Sequence, residues 1–291
     1  MLGARRQRGY HVDNLSFDVY QGEIFGLLGP NGAGKTSTIR LIMDIFTPDA
    51  GSVQVLGQPP GAAKERVGYL PEERGLYRNL RVLDCLVYLA QLKGVPTHIA
   101  HQQAMALLER VGLADRAHSK VKELSRGMQQ KAQFVASLVH DPELVILDEP
   151  FQGLDPVNVE LVKTLIAELR DRGKTVVLST HQMNQVEALC NRILLINHGR
   201  PVLYGPLDEI KAQYGHNRVR LRTPVLLQTL PGVTHVERHD RSYELHLAEE
   251  TTPQALLKSL VEQGVIIEQF EIASVPLEQI FIAVVGEDEH E

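Results

Sequence analysis

Residues 22–43, GEIFGLLGPNGAGKTSTIRLIM, run from a short apolar stretch through a glycine-rich turn into a helix-forming segment. The turn, GPNGAGKT at 29–36, fits G-x-x-x-x-G-K-[ST] in full. Gly29, Gly32 and Gly34 let backbone N–H groups converge on phosphate oxygens where a Cβ would collide. The helix that leaves the turn adds the partial positive charge of its N-terminus. Lys35 offers a point charge to terminal phosphates, and the Thr36 hydroxyl offers a hard oxygen to Mg²⁺. Pro30, Asn31, Ala33 and Ser37 complete a cradle that only a strand–turn–helix context can present, and that context surrounds it here. The chain must therefore build a strand that ends at a nucleotide's phosphates.

Two further strand ends supply chemistry. In LVILDEP (144–150) four apolar residues lead to Asp148, placed to hold Mg²⁺ through its water shell, and to Glu149, placed to take a proton from an attacking water. In TVVLSTH (175–181) the strand ends at His181, within reach of a terminal phosphate. Between the phosphate loop and LVILDEP, the segment LSRG (124–127) reads as a helix start. Ser125 is its cap, and Gly127 opens the backbone to an anion.

The rest of the first 215 residues alternates strands with helices, as a covered, mostly parallel sheet requires. Strands are expected at 14–20, 22–28, 51–57, 66–70, 144–147, 175–178 and 193–196. Helices follow the phosphate loop and occupy about 157–171 and 182–190. A helical insert spans about 72–140. From 216 to 291 the pattern changes to half-exposed strands around two helices. The first of these helices begins at Pro253, and the order approximates a small α+β ferredoxin-like domain.

Composition limits the partners. A formal net charge of −6 gives no support to nucleic-acid binding. Cys85 and Cys190 are far apart and read as reduced structural thiols. No apolar run approaches the ~18 residues of a membrane span, so any membrane role is expected through another chain.

The phosphate loop, LSRGM (124–128), ILDEP (146–150), QGLDP (152–156) and STH (179–181) each occur once and in this order, which resembles the ATP-binding-cassette (ABC) ATPases over residues 9–215. The resemblance implies ATP and Mg²⁺ as ligands, with Asp155 among the nucleotide-binding residues. It also implies that the Ser125–Gly127 helix start closes on ATP held by a second subunit, in a head-to-tail homodimer or a pair with a related ATPase. Integral membrane permease subunits and a place at the cytoplasmic face of the membrane follow from the same family. GYLPEERGLY (68–77) and SVPLEQIFIAVVG (274–286) resemble ABC-2 type exporters, in particular a sodium-efflux branch with a C-terminal accessory domain. Three departures stand out. LSRGM has Arg126 and Met128 where the commonest form has Gly and Gln. Glu72 stands where the family usually places a Gln, and it becomes a third candidate for the metal beside Thr36 and Asp148. Arg5–Arg8 fall where the first strand and an adenine-stacking aromatic are expected, and Tyr10 is out of register. The competing readings are a soluble ABC ATPase of translation or DNA repair and a GTPase switch. The first is marked by tandem cassettes or coiled-coil insertions and the second by Asn-Lys-x-Asp. None of these features is found.

Overall fold

The computed structural model describes residues 12–73, 75–214, 218–225, 230–240, 242–248, 250–273 and 275–288. The chain divides into two compact units, 1–206 and 207–291. The basic stretch Arg5–Arg8 and Tyr10 lie outside the described residues.

The first unit runs β1 (Ile24–Leu28), α1 (Lys35–Ile42), β2 (Val67–Leu70), α2 (Val82–Gln91), α3 (Thr97–Arg110), α4 (Arg126–Leu138), β3 (Leu144–Asp148), α5 (Pro156–Asp171), β4 (Thr175–Thr180), α6 (Met183–Leu189), β5 (Arg192–Asn197) and β6 (Arg200–Pro206). Its sheet has the order β2-β3-β4-β1-β5-β6. The neighbours from β2 to β5 are parallel, and β6 closes the edge antiparallel to β5. β1, β3 and β4 are buried at every position, which is why they read as unbroken apolar runs. Phe25, Leu27, Ile146, Val177, Leu194 and Ile196 form one face of the core with Ile39 of α1. Each fully buried side chain of this kind contributes about 1.5–3 kcal/mol. Because β1 lies between β4 and β5 while β2 lies at the far edge, the strand order reverses beside β1. That reversal opens a crevice at the carboxyl ends of the strands, directly at the phosphate loop.

α2 and α3 pack on each other and on α4, and α4 crosses β2. The crossing is very close. A Cβ on Gly68 would sit 2.0 Å from the Ser137 carbonyl oxygen, so only glycine permits it.

Two expected strands are not strands. Leu15, Phe17 and Val19 do pack on the core, and Phe17 stacks on Phe25 at 5.6 Å. The backbone there bonds elsewhere, however: Asp13 N–H donates to the Gly199 carbonyl and Asp18 N–H to the Tyr204 hydroxyl. Residues 51–57 hold only an isolated bridge between Val55 and Gln58. β6 is an unexpected strand, since RPVLYGP carries two prolines and a glycine, and an edge position tolerates them.

The second unit contains α7 (Leu207–Tyr214), β7 (Arg218–Arg222), β8 (Val233–His239), β9 (Ser242–Leu247), α8 (Pro253–Glu262), β10 (Gln269–Ile272) and α9 (Leu277–Asp288). Its sheet is antiparallel in the order β10-β7-β9-β8. Val219, Leu221, Tyr243, Leu245 and Leu247 face Leu256 and Leu260 of α8, while Arg218 and Arg220 pair with Glu244 on the opposite face. The strand order suits a split β-α-β arrangement, with no helix between β7 and β8 among the described residues.

His140, just past α4, reaches back to the Val67 carbonyl through Nε2 at 3.1 Å. Burial pushes its pKa down to about 4, against the hydrogen bond to Val67, which favours the charged form. The native state thus holds it neutral while the unfolded chain protonates it near pH 6.5. Its contribution is full above pH 6.5 and is lost as pH falls toward 4, by up to about 3 kcal/mol. Urea midpoints between pH 7 and 4 should therefore fall less in H140Q than in the parent protein; equal slopes would remove His140 from the acid response.

Candidate functional site

The ends of β1, β3 and β4 converge on one edge. Gly29 leaves β1 with φ 152°, and a Cβ there would lie 2.2 Å from the Ile196 carbonyl oxygen on β5. The loop then turns into α1, with its backbone lining a cleft of about 270 Å³ from Pro30 to Ser37. Glu72, Asp148 and Glu149 line the same cleft. Lys35 is buried and curls back, its Nζ donating to the carbonyls of Gly29 at 2.7 Å and Pro30 at 3.2 Å. Burial lowers its pKa, and the nearby charges of Glu149, Asp148 and Glu72 oppose that shift.

Asp148 is 1% exposed, and each of its oxygens has a hydroxyl donor. Ser179 Oγ donates to Oδ1 at 2.7 Å and Thr36 Oγ1 to Oδ2 at 3.3 Å. The parallel register Asp148↔Ser179 creates the first contact, and the loop after β1 creates the second. Burial raises the pKa of Asp148, the Ser179 hydrogen bond opposes this, and Glu72 adds a further upward push.

Glu149 is buried with φ 49°, a left-handed backbone that a non-glycine residue adopts only under constraint. Its amide donates to the Ser179 carbonyl at 2.9 Å. Oε2 accepts from the Thr180 hydroxyl at 3.0 Å, and Oε1 accepts from the His181 backbone N–H at 3.0 Å. His181 Nδ1 lies 2.7 Å from the same Oε1. The half-exposed imidazole thus spends Nδ1 on Glu149, leaving Nε2 as the nitrogen that can reach a phosphate.

The other expected residues lie elsewhere. Ser125 caps α4, its Oγ accepting from Met128 N–H at 3.3 Å. At Gly127 an added Cβ would be 3.4 Å from the Gly153 carbonyl oxygen. Asp155 caps α5, accepting from the Asn158 N–H at 3.0 Å and side-chain amide at 2.6 Å, and these bonds lower its pKa. None of these three residues lines the cleft.

Four contributors were not singled out from the sequence. Ser179 and Thr180 were visible in STH, but their partners depend on strand register. Gln130 and Gln133 are buried polar residues inside the LSRGM helix. Gln130 Nε2 donates to the Glu149 and Pro150 carbonyls, and Gln133 Nε2 to those of Pro71 and Glu73. A polar pair on an otherwise apolar helical face was the available signal.

Hard oxygens suit Mg²⁺, and Thr36, Asp148 and Glu72 supply them around the phosphate cradle. Among the described residues no group of three or more His, Cys, Asp or Glu is gathered to hold a metal alone. A cation here would complete its shell with phosphate oxygens and water, the usual habit of Mg²⁺.

Comparison with known proteins agrees with this geometry. The family described as ABC transporter matches residues 12–152, and that described as ATP-binding protein DrrA1-3-like, C-terminal domain, matches 205–285. The ABC transporter ATP-binding protein YhaQ of Bacillus subtilis (strain 168) is 41% identical over 279 residues, covering 94% of this chain and 93% of that protein. Nod factor export ATP-binding protein I of Burkholderia pseudomallei is 40% identical over 218 residues, with 73% and 72% covered. A solved ATP-binding subunit of an ABC transporter superposes with TM-score 0.68 at 30% identity, over 72% of this chain and 90% of that one.

Gly29 and Gly32, two of the three glycines of the cradle, should respond differently to a methyl group. G29A meets the Ile196 carbonyl and should lose about 2–4 kcal/mol of stability. G32A has open space around its Cβ but keeps a positive φ, so it should lose about 1 kcal/mol. Denaturant midpoints give the comparison; equal losses would contradict the close approach at Gly29.

Proposed function

This chain belongs to the ABC transporter family of ATP-binding proteins, and we propose that it is the ATPase subunit of an ABC-2 type exporter, working as a head-to-tail dimer on separate membrane-spanning subunits. The family binds and hydrolyses ATP, and its ATP-binding subunits dimerise and work with membrane permeases. The observation that carries the dimer is the split of the site. The cradle, Asp148, Glu149 and His181 share one edge, whereas the anion-ready N-terminus formed by Ser125 and Gly127 does not line their cleft. A second copy turned end for end would bring its own Ser125 and Gly127 to the exposed side of that cleft. Export is supported by the Nod factor relative and by the match of residues 205–285 to the DrrA-like C-terminal domain. No helix among the described residues is long and apolar enough to cross a membrane, in keeping with a peripheral place at its cytoplasmic face through the permease.

The residues divide the work. Backbone N–H groups of Asn31–Ser37 and the Lys35 ammonium hold the β- and γ-phosphates. Thr36, Asp148 and Glu72 would hold Mg²⁺, which supplies neutralisation of phosphate charge. Glu149 is the base, its carboxylate aimed by Thr180 and by the His181 backbone N–H. His181 steadies Glu149 through Nδ1 and presents Nε2 to the terminal phosphate. Asp155, beside the Gly153 turn, lies with the helix-start half of the site.

E149Q should keep ATP binding while turnover falls about 10²–10⁴-fold. Size-exclusion chromatography with ATP should show more dimer than wild type; unchanged hydrolysis would remove Glu149 as the base. K35A and S125R damage opposite halves of each composite site, so mixing them should restore turnover above either parent. A mixture no more active than its parents would sink the head-to-tail arrangement.

A further inference from the structure

Glu72 stands on a short loop after β2, flanked by two carbonyls that point to one side chain. Gln133 Nε2 donates to the Pro71 carbonyl at 3.0 Å and to the Glu73 carbonyl at 2.9 Å. Both amide hydrogens are therefore spent on the carbonyls of the residues immediately before and after Glu72. Gln133 is 4% exposed, and it lies one helical turn before Ser137, whose carbonyl makes the closest approach of α4 to Gly68 on β2. The Pro71 carbonyl belongs to the peptide that enters Glu72 and the Glu73 carbonyl lies one residue beyond it, so the two bonds pin the backbone on both sides of Glu72 and restrict where its side chain starts. Glu72 itself is exposed toward the cleft, lining it with Asp148 and Thr36. An exposed carboxylate on a loop would ordinarily sample many directions; here its backbone is clamped from below by a buried amide.

We propose that Gln133 is the positioning residue for Glu72, holding that carboxylate at the metal side of the phosphate cleft. The inference rests on the reading of Glu72 as a metal-side residue given above. It adds a route between the two halves of the composite site. Gln133 lies eight residues after Ser125 on one rigid helix, about 12 Å along its axis. A phosphate drawn to the α4 N-terminus of one copy therefore acts on the helix that sets Glu72 in that same copy. Gln130, three residues earlier, makes the corresponding contact with the Glu149 and Pro150 carbonyls. One helix face thus carries an amide to each loop that bears a cleft carboxylate.

The test uses Q133M, which keeps the volume and removes both donors, and Q133A as a second variant. In the nucleotide-free protein, hydrogen exchange should quicken in the amides around Glu72 and stay unchanged in α5 and β4. In ATPase assays the half-saturating Mg²⁺ concentration should rise about tenfold, as when a metal ligand loses its supporting hydrogen bonds. E72Q should raise it in the same direction, and adding Q133M to E72Q should raise it no further. Unchanged exchange around Glu72 in both variants overturns the proposal. So does faster exchange with an unmoved Mg²⁺ requirement, if E72Q does move it, because Gln133 would then serve stability alone. Should E72Q leave the Mg²⁺ curve unaltered, the metal-side reading of Glu72 falls. Faster exchange in the Gln133 variants would then still uphold the clamp on the loop.

Discussion

Three parallel strands lying side by side, β3, β4 and β1, must end at the same edge, and the chemistry of this protein depends on that alignment. Asp148 is a carboxylate almost without solvent, and such a group survives burial only with partners for its oxygens. One partner is on the neighbouring strand and the other in the first turn of the helix that follows the strand beyond it. Sliding β4 by one residue would turn Ser179 to the other face, leave one oxygen unpaired, and carry Thr180 away from Glu149. The core enforces the register because β3 and β4 are buried at every position, so a slip would replace each fitted side chain by one of another size or polarity.

The same edge places a constrained residue beside an aligned one. Glu149 follows directly on β3 with a left-handed backbone, pinned by its amide to the Ser179 carbonyl. A carboxylate fixed by Thr180 and the His181 amide keeps its direction without help from bound substrate. Such preorganisation suits the base proposed above, since a carboxylate already aimed needs little reorganisation.

α4 ties the distant parts of the first unit together. Its N-terminus is the capped, glycine-containing start, its middle holds the two glutamines, and beyond its C-terminus His140 fastens to β2. Whatever moves this helix moves the loops of Glu72 and Glu149 with it. Its close approach at Gly68 makes the coupling stiff, since backbone rests on backbone with no side chain to yield.

Much of this was legible in the residue order. An apolar run before GPNGAGKT, and the carboxylates after LVIL, announce a parallel sheet with a glycine-rich loop and two acidic residues at its strand tips. That is so because each motif is contiguous and its geometry is local to one turn. Residues 14–20 alternate as a strand would and do bury their apolar side, yet side-chain period cannot say whether a neighbouring strand is there to pair. β6 was hidden because Pro and Gly oppose strands in general and are tolerated only at an edge. The contacts Ser179–Asp148, Thr180–Glu149 and Gln133 with Pro71 and Glu73 join residues 31 to 62 positions apart. Short-range pattern decides which groups exist and at which strand tips; strand order, register and the crossing of α4 over Gly68 decide which of them touch, since those arise only when the whole sheet closes around its core.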